Sequence, residues 1–117
     1  MQKVLIVDDS KVSRRINRDL LSKLGYEVIS EAVDGVDGLA KYEEHKPEFI
    51  LTDVEMPNLD GVGMVKKIRE LGHDVHVVVI TSVVNSQVTQ EVIKYGVKIL
   101  KKPLKEAHLH HALLSFK

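Results

Sequence analysis

Residues 4–10 read VLIVDDS. Four apolar residues, Val4, Leu5, Ile6 and Val7, run directly into two adjacent carboxylates, Asp8 and Asp9, and then a serine. A short run rich in β-branched residues reads as a strand built for burial. The next segment reads as a helix. Ser10 has the chemistry of an N-cap, Val12, Ile16, Leu20 and Leu24 recur at i+4, and Gly25 stands where a left-handed stop is expected. A core strand that ends in two like charges and feeds a helix is the unit from which the rest of the chain is read.

That unit recurs. Tyr26–Ser30 leads to a helix over Val36–His45, which carries Leu39 and Ala40 and is closed off by Pro47. Phe49–Thr52 ends in Asp53, and a loop over Val54–Asp60 holds Pro57 and Asn58. A helix then runs from Gly61 to Leu71 with Val62, Val65 and Ile68 as its apolar stripe. Val75–Ile80 is the most continuously apolar run, as a strand covered on both faces should be, and it ends in Thr81 and Ser82. A helix over Ser86–Tyr95 carries Val88, Val92 and Ile93 and is broken by Gly96. Val97–Leu100 leads into Lys101, Lys102 and Pro103, and a last helix over Lys105–Leu114 places Leu109 and Leu113 on one face. Five such alternations predict an α/β fold: a flavodoxin-like doubly wound (βα)5 domain over residues 1–117, with a five-stranded parallel sheet in the order 2-1-3-4-5. That order is taken from the fold type, since periodicity does not specify it. A closed barrel would need more units than the chain holds.

Composition narrows the function classes. The 117 residues are enough for one domain with its own core, so neither a disulfide nor a structural metal is required to fold it. There is no cysteine, which suits a reducing compartment, and the absence of a signal-peptide layout makes the cytoplasm the expected location. Lys plus Arg and Asp plus Glu are equal at 17 each, giving no reason to expect nucleic acid or a membrane surface as a direct partner. No apolar run approaches the roughly 18 residues that a membrane-spanning helix needs.

The polar residues fall at the strand ends. Strand one ends in Asp8-Asp9, strand three in Asp53, strand four in Thr81-Ser82, and strand five runs into Lys102-Pro103. In a parallel sheet these carboxyl ends share one edge, and in the expected order strands one and three meet at the switch point where such folds bind ligands. Three carboxylates within a few ångströms repel, so one must be protonated or a cation must sit among them. Hard oxygen donors suit Mg²⁺. With a hydroxyl and a mobile ammonium beside them, the set fits phosphoryl transfer to a carboxylate nucleophile.

VLIVDDS, LTDVEMPNLDG, VITS and LKKP together resemble the four signatures of response-regulator receiver domains, the CheY-like group of two-component signalling. Each piece is weak alone. All four, in order, at the ends of strands one, three, four and five and across essentially the whole chain, form a specific signal. The resemblance implies that Asp53 is the phosphoacceptor, taking a phosphoryl group from a phosphohistidine on a sensor histidine kinase or a phosphotransfer protein. It implies Mg²⁺ held by Asp9, Asp53 and the backbone carbonyl of Glu55, with Asp8 acting through a water molecule. Thr81 and Lys102 are then the residues that sense and bind the phosphoryl group, and the Lys102–Pro103 bond is a candidate cis peptide. The implied protein is a monomeric signalling switch rather than a classical enzyme. Its output partner is not named by the sequence, and it would be engaged through the surface of strand four, helix four and strand five.

Blander readings stand beside these. Asp8 and Asp9 alone would be ordinary carboxylates at a helix N-terminus, and Thr81 alone an ordinary turn residue. Lys101 is expected to be solvated, Met56 to fill a gap beneath the loop, and Gly61 to serve backbone geometry. His108 and His111 have i, i+3 spacing that can bind a transition metal, but no third ligand is evident. His45, His73 and His76 read as loop or strand-edge residues. Three positions depart from the family pattern and are expected to modulate the switch. Glu55 either steers water and incoming donors at the mouth of the site or points into solvent. Val83 is apolar where many relatives are polar. Ile99 stands where an aromatic is usual, so a threonine–aromatic coupling cannot be assumed there, although a bulky aliphatic could still fill or vacate that pocket. The alternatives for function are a phosphorylation-dependent switch, with chemotaxis favoured by the DDS opening, a phosphorelay intermediate that hands phosphate to a histidine phosphotransfer domain, and a degenerate interaction module. The intact acidic set and Lys102 argue against the last. An enzyme of P-loop type would need a glycine-rich loop after strand one, which is absent.

Overall fold

Successive side chains of a strand point to opposite faces. In β1 (Lys3–Val7) both faces are apolar: Val4 and Ile6 enter one buried cluster, and Leu5 and Val7 enter another. The sheet therefore needs cover on both sides. The computed structural model describes residues 1–56, 58–84 and 86–116. After β1 come α1 (Lys11–Lys23), β2 (Glu27–Ala32), α2 (Gly35–His45), β3 (Phe49–Asp53), α3 (Gly61–Glu70), β4 (His76–Thr81), α4 (Gln87–Ile93), β5 (Lys98–Lys101) and α5 (Glu106–Leu114). The strands pair in parallel in the order β2-β1-β3-β4-β5, the predicted flavodoxin-like arrangement.

The same alternation continues across the sheet. Phe49 and Leu51 of β3 and Val78 and Ile80 of β4 join Val4 and Ile6, together with Leu21 of α1 and Leu109 and Leu113 of α5. Ile50, Val77 and Val79 join Leu5 and Val7, together with Tyr42 of α2, Met64, Val65 and Ile68 of α3, and Val92 of α4. Helices α1 and α5 thus cover one face and α2, α3 and α4 the other. Among the described residues no helix is long and apolar enough to cross a membrane.

Several element boundaries and faces differ from expectation. The i+4 row on α1 does not stay on one face: Val12 is 71% exposed and Ile16 is 54% exposed, while Asn17 and Leu21 are buried. Four residues advance about 400° around a helix, so the row drifts outward toward its N-terminal end. Leu20 and Leu24 still pack on the core. β2 starts after Tyr26 and runs past Ser30 to Ala32, because its ladder with β1 continues to the Val7–Ala32 pair. β4 begins at His76, one residue after the expected Val75, and β5 covers Lys98–Lys101. α4 is shorter than predicted, and Val88 and Ile93 face outward while Thr89 and Val92 face the core. Pro57 lies outside the described residues.

The caps are as the residue types require. Ser10, Asp34, Asp60 and Ser86 each accept a backbone N–H from the first turn of α1, α2, α3 and α4. Gly25 adopts φ +90°, the left-handed stop anticipated after α1. Gly61 serves backbone geometry in a different way. A Cβ there would fall on the carbonyl oxygen of Asp53, and the Gly61 N–H donates to the Val54 carbonyl at 2.9 Å. The loop carrying the end of β3 is thereby pressed against the start of α3.

Replacing Gly61 with alanine should lower unfolding free energy by about 1–3 kcal/mol, because backbone must move to admit the methyl group. Urea denaturation reads this directly. The exposed Lys66→Ala on the same helix should stay within about 0.5 kcal/mol.

Candidate functional site

The register of the sheet brings the polar strand ends together. Val7 of β1 is level with Thr52 of β3, so the next residues along, Asp8 and Asp53, emerge side by side. One carboxylate oxygen from each of Asp8, Asp9 and Asp53 lies within 4.8 Å of the others. Asp8 and Asp53 are 2% and 6% exposed, whereas Asp9 is open to solvent. Asp8 is tied down by its surroundings: its N–H donates to the Ala32 carbonyl at 3.0 Å, and its Oδ1 accepts from Ser10 N at 2.8 Å. One oxygen of Asp53, Oδ1, accepts from Val54 N at 2.8 Å, and the other, Oδ2, accepts from Lys102 Nζ at 3.1 Å.

Burial pushes the Asp53 carboxyl above its ordinary range, Lys102 pulls it back by hydrogen bond and charge, and the negative charge of Asp8 adds to the rise. Three hard oxygen donors gathered around one point, with one of them raised partly by its neighbour's charge, fit a small divalent cation such as Mg²⁺.

Lys102 reaches the site from the residue after β5. Its backbone N–H donates to the Thr81 carbonyl at 2.8 Å, linking the ends of β4 and β5, and the Lys102–Pro103 peptide is cis, as anticipated. Thr81 is buried, and its hydroxyl is occupied locally. It accepts from Val83 N at 3.2 Å and donates toward the Val83 carbonyl at 3.4 Å. Among the described residues it makes no hydrogen bond to Asp53 or Lys102. Of the three positions expected to modulate the switch, Glu55 and Val83 are exposed, and Ile99 packs partly buried on the core cluster alongside Tyr95. The exposure of Glu55 fits the solvent-directed reading of its side chain. Met56 is partly buried against the same cluster, as a gap-filling residue would be. Lys101 is exposed.

His108 and His111 are exposed, and among the described residues Asp8, Asp9 and Asp53 are the one gathered set of three metal-capable side chains. His76 is not an isolated strand-edge residue. It opens β4 and stacks on Phe116 at 4.6 Å between ring centres.

Two supports of the site are not evident from the sequence. Asp34, the N-cap of α2, accepts from Asn58 Nδ2 at 2.5 Å, and Gly35 N donates to the Leu59 carbonyl at 2.7 Å. The loop after Asp53 is thus pinned to the start of α2. Asn58 has φ +66°, a conformation asparagine tolerates better than most residues. The Asp34 carboxyl is held below its ordinary range, first by the Asp37 N–H and then by Asn58. Signals are present in VDG ahead of a helix and in Asn58 within a turn, but only the fold shows that the two meet. The second support is Arg14, whose guanidinium bridges Glu31 and the Asp8 carbonyl.

Residues 4–114 match the family model described as the response regulator receiver domain. The chemotaxis protein CheY of Thermotoga maritima is 33% identical over 113 residues, which is 96% of this chain and 94% of that protein. A probable C4-dicarboxylate response regulator, DctR, of Halalkalibacterium halodurans is 31% identical over 97% of this chain and 50% of its own length. The CheX–CheY complex of Borrelia burgdorferi with BeF3 and Mg²⁺ contains a chain that superposes with a TM-score of 0.91 at 26% identity, covering 97% of this chain and 87% of that one.

Two aspartates should shift stability in opposite directions with pH. Asp53 has a raised folded-state value, so the folded chain binds the extra proton and stability falls as pH rises from the ordinary carboxylate range through that raised value. Asp53→Asn should therefore unfold at a higher temperature than the parent at pH 7 without divalent cations, with the gain fading at acid pH. Asp34 has a lowered value, so its contribution is present above the ordinary carboxylate range and is lost as pH falls through the lowered one. Asp34→Ala should be destabilised at pH 7 and less so in acid. Thermal melts of the three proteins across the acid range check both signs.

Proposed function

The chain belongs to the response regulator receiver family, and from that membership we propose that it is a phosphorylation-activated switch that accepts a phosphoryl group on Asp53. The observation that carries this reading is the placement of Asp53: nearly buried at the end of β3, flanked by Asp8 and Asp9, with one oxygen on Lys102.

A carboxylate oxygen of Asp53 attacks the phosphorus of a phosphohistidine on a sensor histidine kinase or phosphotransfer protein. The P–N bond breaks, the imidazole leaves with its electron pair, and an acyl phosphate remains on Asp53. Such transfers ask the protein mainly for position and for charge stabilisation. The β3 backbone and the Val54 N–H hold the Asp53 carboxylate in place. Lys102, now on Asp53 Oδ2, is placed to follow the added charge onto a phosphoryl oxygen. Asp9, Asp53 and the Glu55 carbonyl would hold Mg²⁺, with Asp8 in support through water. The ion supplies charge neutralisation for the phosphoryl oxygens and for the crowded carboxylates. To reach the phosphoryl group, the Thr81 hydroxyl gives up its bonds to Val83, and that exchange passes the signal into the β4–α4 segment. Val83, which holds the Thr81 hydroxyl, lies on this route, and Ile99 tunes it from β5, the strand beside β4. Attack of water on the acyl phosphate returns Asp53 to its resting state.

Similarity to chemotaxis proteins over nearly their whole length favours a chemotaxis role, with the chain acting in the cytoplasm on an output protein. The phosphorelay reading, in which Asp53 passes its phosphate on to a histidine, uses the same pocket.

Beryllofluoride should bind saturably only when Mg²⁺ is present, as followed by fluorine NMR, and Asp53→Asn should abolish it. Equal binding by Asp53→Asn would refute the assignment. Transfer of labelled phosphate from the phosphorylated chain to a histidine phosphotransfer domain separates the relay from the terminal switch.

A further inference from the structure

Arg14 lies in the first turns of α1, and its side chain makes two contacts of different kinds. Nε donates to Glu31 Oε1 on β2 at 3.1 Å, and Nη1 donates to the backbone carbonyl of Asp8 at 2.7 Å. Arg18, one turn further on, also holds Glu31, through Oε2 at 2.6 Å, but does not reach the β1–α1 loop. The Arg14 side chain is 14% exposed and that of Arg18 is 46% exposed. Glu31 is thus a fixed post on which two arginines close, and one of them extends past it to the acidic site.

The carbonyl that Arg14 grips has a particular position. A peptide unit is planar and includes the α-carbons on both sides. The Asp8 carbonyl belongs to the plane that joins the α-carbons of Asp8 and Asp9. Fixing that oxygen fixes the orientation of the two carbons that carry two of the three clustered carboxylates. Arg14 touches none of these carboxylates in the described residues, so it does not neutralise them by direct pairing. The guanidinium reaches the two acceptors through different nitrogens of one rigid plane, which ties their relative positions together.

We propose that Arg14 is a positioning residue for the acidic site. Braced by Glu31, it holds the Asp8–Asp9 peptide so that both carboxylates converge with Asp53 on one cation. The inference rests on the reading of Asp8, Asp9 and Asp53 as a Mg²⁺ site. It assigns to Arg14 a function distinct from the stability of its ion pair.

Arg18 supplies the control, because it shares the ion pair without the carbonyl contact. The full chain, Arg14→Met, Arg18→Met and Asp53→Asn are titrated with Mg²⁺ in competition with Mn²⁺, free Mn²⁺ being counted by electron paramagnetic resonance. Urea unfolding is measured on the same samples. Removing a residue that orients metal ligands from outside costs about tenfold or more in affinity, and Arg14→Met should show about that loss. Arg18→Met, losing only a partly exposed ion pair, should stay within about twofold. Equal affinities for Arg14→Met and the parent, or equal losses in the two arginine variants, would overturn the inference and leave the acidic site standing. Saturable Mg²⁺ binding that Asp53→Asn leaves intact, or none in the parent, would overturn the site and the inference with it. If Arg14→Met is too unstable to titrate, Glu31→Gln loosens the same brace. It should weaken Mg²⁺ in the same direction by a smaller factor, and an unchanged affinity there would also overturn the proposal.

Discussion

Electrostatic repulsion among Asp8, Asp9 and Asp53 is the constraint around which the carboxyl edge of the sheet is arranged. Two neighbouring parallel strands end at the same level in carboxylates, and the register of β1 on β3 gives them no room to separate. In water such groups would drift apart. Here Asp8 and Asp53 are nearly buried and fixed by backbone N–H groups. Their mutual cost is relieved from outside by Lys102 on one oxygen of Asp53, and it is relieved further by any small cation that all three can reach. On the proposed reading, a site held in this state would bind a cation and, with the cation in place, a phosphoryl group.

The remainder of the fold can be understood as what keeps that edge rigid. The alternating apolar faces of β1, β3 and β4 lock the central strands between two helical layers, so the strand ends cannot retreat. Gly61 lets α3 begin against the Asp53 carbonyl. Asp34 and Asn58 pin the loop after β3 to α2, and Arg14 with Glu31 pins the loop after β1 to β2. The mobile elements are fewer. Lys102 has a flexible stem, and the Thr81 hydroxyl bonds, among the described residues, only to the backbone of Val83, donating to its carbonyl over a long 3.4 Å.

Much of this was legible in the sequence. The strand–helix alternation, the cap at Ser10, the stop at Gly25 and the polar strand ends all follow from local chemistry that needs no partner. That Asp8, Asp9 and Asp53 share one edge followed once the parallel order was assumed, whereas the register that sets Asp8 level with Asp53 is seen only in the fold. What escaped was what depends on contact between distant segments. The i+4 row on α1 looked like a core face, but only its second half meets the sheet, and Val12 and Ile16 are left outside. β2 runs through Glu31 and Ala32 because β1 lies beside it, and the local pattern had placed its end at Ser30. The sequence placed Asn58 in a loop and assigned no role to Arg14 or Asp34. Their roles arise from pairings across 17 and 24 residues of sequence, which no local pattern encodes.

The central claim is that Asp53 is the nucleophile and that a divalent cation enables it. The most direct measurement treats the chain with a small acyl phosphate, with and without Mg²⁺, and follows intact mass and peptide mapping. One phosphoryl group should appear on the peptide containing Asp53, only with Mg²⁺, and Asp53→Asn should show none. A phosphoryl group on another residue, or equal labelling without a divalent cation, would contradict the claim.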